Sequence, residues 1–148
     1  VLTDAEQRLY RLFTEIAIVE QLSRAVAERA LPDGLTMAQF GLLTHFTRLG
    51  GEWSPLRLAR AFQVTKQTMT STLGRLEAAG FVAIRPDPAD GRGKLVSLTP
   101  AGRAAHAEAV KRLGPGLALA ADAVPEALVG ELLPKLAALR ALLDQARG

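Results

Sequence analysis

Ser54-Pro55-Leu56-Arg57-Leu58-Ala59-Arg60-Ala61-Phe62-Gln63-Val64-Thr65-Lys66-Gln67-Thr68-Met69-Thr70-Ser71-Thr72-Leu73-Gly74-Arg75-Leu76 is the stretch that decides the fold. Ser54 before Pro55 marks a helix start: a hydroxyl able to cap free N–H groups, then a proline whose fixed φ suits the first helical position. Leu56, Leu58, Ala59 and Phe62 form the apolar side of this helix, with Arg57 and Arg60 facing outward. After Gln63-Val64 the chain restarts at Thr65, a second N-cap, and Met69, Leu73 and Leu76 follow at helical spacing. The other face of the second helix carries Lys66, Gln67, Thr68, Thr70, Ser71 and Arg75. A short, polar, weakly cationic face suits the DNA major groove, where base edges offer donors and acceptors and the flanking phosphates call for positive charge.

A hairpin follows. Gly80 ends the second helix, and Phe81-Val82-Ala83-Ile84-Arg85 alternates as a strand does. Pro86-Asp87-Pro88-Ala89-Asp90-Gly91-Arg92-Gly93 is expected to be turn throughout, its prolines fixing φ and its glycines taking positive φ. Lys94-Leu95-Val96-Ser97-Leu98 returns as the second strand, and Thr99-Pro100 opens the next helix. Arg92, between two glycines at the tip, can enter a narrow minor groove, with Asp90 placed to hold its guanidinium. Alone, such a ribbon is as readily an ordinary solvated hairpin; directly after a helix-turn-helix it reads as a wing.

These blocks resemble the MarR group of bacterial winged helix-turn-helix transcriptional regulators. The resemblance covers residues 35–102 through Leu35-Thr36-Met37-Ala38-Gln39-Phe40, Val64-Thr65-Lys66-Gln67-Thr68-Met69-Thr70, Leu76-Glu77-Ala78-Ala79-Gly80-Phe81-Val82, Asp87-Pro88-Ala89-Asp90-Gly91-Arg92 and Val96-Ser97-Leu98-Thr99-Pro100-Ala101-Gly102. Their order and spacing carry the likeness; no single block does. Gly74 stands where the group usually has a larger polar residue, and Thr72 where an apolar one is common. The resemblance implies a mainly α fold with a small β-hairpin wing and long N- and C-terminal dimerisation helices. Residues 36–99 would form the DNA-binding lobe, and residues 1–35 and 100–148 the helical dimerisation lobe, in one structural domain. It further implies a homodimeric repressor on a near-palindromic duplex operator, relieved by a small aromatic or anionic ligand.

The flanking segments read as amphipathic helices. From residue 3 to about 30, Leu9, Leu12, Phe13, Ile16, Val19 (or Glu20), Ser23 and Val26 trace one stripe, ended by Pro32-Asp33-Gly34. Thr36 caps a helix to about Arg48, with Phe40, Leu43 and Phe46 inward and Gly50-Gly51 closing it. Trp53 is expected at a short strand edge or as a packing anchor beside the wing. After Thr99 a helix should run to Leu113, where Gly114-Pro115-Gly116 is expected to break or kink it. Pro134 predicts a bend, or a new helix start, in the last segment. There Leu128, Leu132, Leu133, Leu136, Leu139, Leu142 and Leu143 cover more than one face, which points to a partner chain, to the first helix, or to both.

Composition agrees. The chain has 148 residues, 49% of them hydrophobic and only 5% aromatic, so a helical protein with an extra buried surface is the simplest account. No run of about 18 uncharged apolar residues occurs. No secretory pattern opens the sequence, which begins at Val1 rather than Met, and the absence of cysteine fits a reducing cytoplasm, the expected location. Residues 54–103 hold eight basic side chains against three acidic ones, while the rest of the chain has a small acidic excess. Positive charge thus sits where phosphate binding requires it. The DNA-contact candidates are Arg57, Thr65, Lys66, Gln67, Thr68, Thr70, Ser71, Arg75, Asp90, Arg92 and Lys94.

An enzyme finds no support. His45 and His106 have no carboxylate or cysteine at ligand spacing, Gly91-Arg92-Gly93 is too short for a phosphate loop, and neither cofactor nor metal is expected. Some members of the resembled group sense peroxide through a thiolate; a chain without cysteine cannot. The crevice that binds small ligands in that group would involve Tyr10, Arg24, His45 and Trp53, although each reads more readily as a structural residue, since aromatic side chains on helical faces are usually core. The alternative function is a winged-helix module that binds protein rather than DNA.

Overall fold

The structure is a computed structural model that describes residues 1–146. Among the described residues, six helices and one hairpin follow each other: α1 (Asp4–Ala30), α2 (Met37–Leu49), α3 (Pro55–Ala61), α4 (Lys66–Ala78), β1 (Val82–Asp87), β2 (Asp90–Leu98), α5 (Pro100–Ala123) and α6 (Glu126–Ala146). Two compact units are present, one up to Leu113 and the other from Gly114 onward, the boundary falling within α5. No described helix is long and apolar enough to cross a membrane.

The helix starts are chemically well marked. Thr3 and Glu6 form a capping box on α1, Thr36 and Gln39 another on α2, and the Ser54 and Thr65 hydroxyls accept from the backbone N–H groups of Arg57 (3.2 Å) and Thr68 (3.1 Å). α4 stops in a Schellman motif: Phe81 N–H donates to Leu76 O (2.9 Å) and Gly80 N–H to Glu77 O (2.9 Å), with Gly80 at φ +78. The tight turn between α3 and α4 uses Gln63 at φ +55, the only non-glycine with positive φ among the described residues. No local signal marks Gln63 for that conformation.

The core lies among α2, α3, α4 and the base of the hairpin. Leu42, Leu43, Phe46, Leu58, Met69, Leu73, Leu76, Val82 and Val96 are buried together. Phe40, expected inward, is only half-buried, while Leu42 takes a full core place. Each fully buried leucine or phenylalanine stabilises the fold by about 1.5–3 kcal/mol relative to its exposed state. Trp53 joins the wing as a third strand edge: its N–H donates to Val96 O (2.9 Å), and Val96 N–H donates back to Trp53 O (2.8 Å).

Neither proline breaks its helix or starts a new one. α5 runs unbroken through Pro115, and α6 runs unbroken through Pro134. A proline removes one helical hydrogen bond and crowds the preceding turn, at about 3 kcal/mol. Ending and restarting the helix would instead leave several N–H and C=O groups unpaired at two new ends and require a fresh nucleus. Leu113 and Leu117 enclose Gly114-Pro115-Gly116, and Leu132, Leu133, Leu136 and Ala137 enclose Pro134, so strong helix formers carry the chain past each proline and continuation costs less.

Candidate nucleic-acid interface

Three buried side chains, Met69, Leu73 and Leu76, seat α4 on the core, and the 3.6-residue period then sorts its exposed residues into rows. Lys66, Thr70, Gly74 and Glu77 line the side nearest the wing. Gln67, Ser71 and Arg75 form the next row at i, i+4 and i+8, all exposed. Thr68 and Thr72 border a separate hollow that also includes Arg24, Phe62 and Val64. The Thr68 hydroxyl accepts from that of Thr65 (2.9 Å), and the Thr72 hydroxyl donates back to Thr68 O (3.0 Å), so part of this row is engaged in holding the helix start. The back-bond also gives a polar residue a partner where the resembled group often has an apolar one.

The wing is longer than its turn-rich sequence predicts. β1 reaches Asp87 and β2 begins at Asp90, so only Pro88 and Ala89 lie between the two strands. Pro86 is tolerated because a two-stranded ribbon has an unpaired edge on each strand. Pairing proceeds regularly from Val82↔Leu98 to Pro86↔Lys94, then jumps to Asp87↔Asp90, leaving Gly91-Arg92-Gly93 without counterparts on β1. This bulge, not the hairpin turn itself, presents Arg92. Neither Gly91 nor Gly93 has positive φ, contrary to expectation. At Gly93 the need is for space: a Cβ there would lie 3.3 Å from Asp90 Oδ2 and 3.4 Å from Asp87 Cβ. Asp90 also acts differently from expected, because its carboxylate accepts from the Arg92 backbone N–H (3.1 Å) and so fixes the bulge rather than the guanidinium.

Between α4 and the wing runs a groove of about 710 Å³ that brings together Lys66, Thr70, Asp90, Arg92 and Lys94. Gly74 lies on its wall, with open space where a Cβ would stand. The remaining candidates lie off this groove. Arg57 places its guanidinium carbon 4.1 Å from the centre of the Trp53 ring, a cation–π contact.

The four ligand candidates do not converge within one chain. Tyr10 and Arg24 are both exposed on α1, about 21 Å apart along its axis. Arg24 is paired with Glu20 at 2.6 Å. His45 and Trp53 do meet, with ring centres 4.4 Å apart, and Phe62 and Phe46 also press edgewise on the imidazole. His45 is buried and its Nε2 has no hydrogen-bond partner. Burial pushes its pKa down, and the nearby cations of Arg48 and Arg57 push the same way. On α5, His106 stacks on Phe40 and shares a 3.1 Å hydrogen bond with the Thr44 hydroxyl; burial lowers its pKa too.

Glu52 is the residue that sequence reasoning missed. It receives two short hydrogen bonds from Arg85 of β1, at 2.6 Å from Nε and 2.7 Å from Nη2. A pair separated by 33 positions leaves no local sequence signal.

The MarR family model matches residues 33–93, which include all of α2, α3 and α4 and most of the wing. The transcriptional activatory protein BadR of Rhodopseudomonas palustris is 35% identical over 104 residues, 68% of this chain; the match spans only 59% of BadR. The HTH-type transcriptional repressor Mb2911 of Mycobacterium bovis is 38% identical over 97 residues, 64% of this chain and 69% of the relative. Among solved structures, that of Bordetella bronchiseptica BpsR, whose DNA binding is described as regulated by 6-hydroxynicotinic acid, superposes with a TM-score of 0.67 at 27% identity, covering 86% of this chain and 98% of BpsR. With a winged helix-turn-helix at its centre and these relatives around it, the chain belongs to the MarR family and is a DNA-binding transcription regulator, not an enzyme.

Proposed function

We propose that the chain works as a homodimer on a near-palindromic duplex operator, as a repressor that a small aromatic or anionic compound releases. The observation that carries the DNA part is the groove flanked by α4 and the bulged wing, with Lys66, Arg92 and Lys94 along it. In this reading the row of Gln67, Ser71 and Arg75 faces base edges in the major groove, and Arg92 enters the adjacent minor groove. Residues 36–99 serve as the reading head and residues 1–35 and 100–148 as the dimerising part. The support for a second copy is that α1 and α6 each carry many exposed apolar side chains and no buried residue. Two reading heads in one dimer call for half-sites whose centres lie about 34–36 Å apart. The DNA target sets the place of action in the bacterial cytoplasm.

Repression follows the name of Mb2911, whereas BadR is called an activator. The ligand class follows BpsR and the mixture of aromatic and basic residues at Arg24, His45, Trp53 and Tyr10. A ligand releases DNA only as far as it prefers one arrangement of the dimer over the other. The experiment is to sequence the DNA that copurifies with the protein, then titrate binding to that fragment and to random duplex against salt. Linear loss of log affinity with log salt, steeper than a few units and accompanied by preference for the selected fragment, is expected. Indifference to DNA together with tight capture of a protein would favour the interaction-module alternative. Release by a panel of small aromatic carboxylates, and none by dilute peroxide, is expected of the switch.

A further inference from the structure

The wing is a two-stranded ribbon whose functional end, the bulge at Gly91-Arg92-Gly93, lies beyond its last contact with the core at Val96. Such a ribbon attached only at its base can swing and twist, and a hydrogen bond at its tip tolerates a shift of only about 0.5 Å. Two neighbouring residues of the α2–α3 connection restrain it on both strands. Trp53 pairs with Val96 of β2 through two backbone hydrogen bonds, and Glu52 grips Arg85 of β1 through two side-chain ones. The connection is itself held in place: the Trp53 indole N–H donates to Gly50 O (2.9 Å) and its ring packs on the buried His45.

Exposed ion pairs add little to stability, and this one is half exposed on both sides. Its forked geometry, however, fixes direction as a single contact cannot. Arg85 also lies one residue from Ile84, which lines the α4–wing groove, so in an alternating strand Arg85 is on the opposite face. It therefore stands in the basic segment without adding a cation to the groove.

Resting on the DNA-binding reading above, we infer that Glu52 is a positioning residue for DNA recognition: by clamping Arg85 it sets the pose of the wing and hence the reach of Arg92.

The test is a double-mutant cycle on operator and random duplexes. Glu52→Gln should lower the ratio of operator to random affinity about fivefold or more, through loss of the forked contact that sets the wing. Arg92→Ala alone should weaken operator binding, and adding Glu52→Gln to it should cost no further operator affinity, because the two act through one contact. Exchanging the charges (Glu52→Arg with Arg85→Glu) should restore the ratio to within twofold of the parent. Thermal unfolding of each variant separates wing pose from loss of fold. An unchanged ratio in Glu52→Gln, or losses that multiply in the double variant, would overturn the inference while leaving the regulator reading intact. A parent protein that prefers no duplex over any other would overturn both.

Discussion

The segment from α2 to the wing and the helices α1 and α6 are built from similar apolar residues and end in opposite conditions. The first buries Leu42, Leu43, Phe46, Leu58, Leu73, Leu76 and Val96 almost completely. α1 displays Leu9, Leu12, Phe13, Val19, Leu22 and Val26 to solvent, and α6 displays Leu128, Leu132, Leu133, Leu136, Leu142 and Leu143. The difference teaches that an apolar stripe states a demand for burial and not its fulfilment. Close packing in the winged segment comes from elements crossing one another within a short stretch of chain. In α1 and α6 the same side chains lie along long helices with no buried residue.

The contrast can be tested, beginning with the largest effect. Gly102 sits in the first turn of α5 where an added Cβ would strike the carbonyl oxygen of Phe81 and press on Leu98. Gly102→Ala should destabilise the winged segment by more than about 4 kcal/mol, the range reserved for forced backbone or core clashes, as measured by denaturant unfolding. A loss below 1 kcal/mol would show that α5 moves aside freely. Next, Leu73→Ala should cost about 2–5 kcal/mol at any protein concentration. Leu132→Ala should instead change stability in a concentration-dependent way, as expected of a side chain covered by a second copy. If both effects are independent of concentration, α6 does not serve a dimer. Deleting residues 125–148, of which 147 and 148 lie outside the described residues, should abolish dimerisation and tight DNA binding together.

Smaller effects distinguish the two parts of the reading head. Gln67→Ala should lose about 1–3 kcal/mol on the operator and much less on random DNA if its side chain reads a base. Arg92→Ala should flatten the salt slope by about one unit per subunit. Equal losses of Gln67→Ala on both DNAs would assign it to the backbone instead.

The two histidines predict a pH response. Their folded pKa values lie below the ordinary value, so between the folded and unfolded pKa the unfolded chain binds more protons. Stability is therefore complete above about pH 6.5 and falls as pH drops toward the folded pKa, by at most about 1.4 kcal/mol per pH unit for each histidine. Thermal melts from pH 7.5 to 5 should show this, and His45→Leu should reduce the slope. The smallest expected effect is at Gly74, where a Cβ meets nothing: Gly74→Ala should stabilise α4 by about 0.5–1 kcal/mol. A loss of operator affinity in that more stable variant would show that the open groove wall serves DNA.

Much of the molecule was legible without coordinates because its signals are local. Thr3, Thr36, Ser54 and Thr65 each cap the helix that their side-chain chemistry announces, and Gly80 ends α4 because only a residue at ease with positive φ completes the Schellman turn. The spacing of Met69, Leu73 and Leu76 determined which face of α4 is buried, and thereby which polar residues remain for DNA. What tertiary structure decided depends on residues distant in sequence or on competing costs of similar size. The Glu52–Arg85 clamp joins positions 33 apart, the wing's register jump makes a bulge of residues that read as a turn, and His45 is buried because Trp53 and Phe62 converge on it. Pro115 and Pro134 carry a strong local tendency to break helices, yet one lost hydrogen bond costs less than two frayed ends. Local chemistry chose the elements; the balance among distant contacts chose how far each one runs and which side chains it leaves free to act.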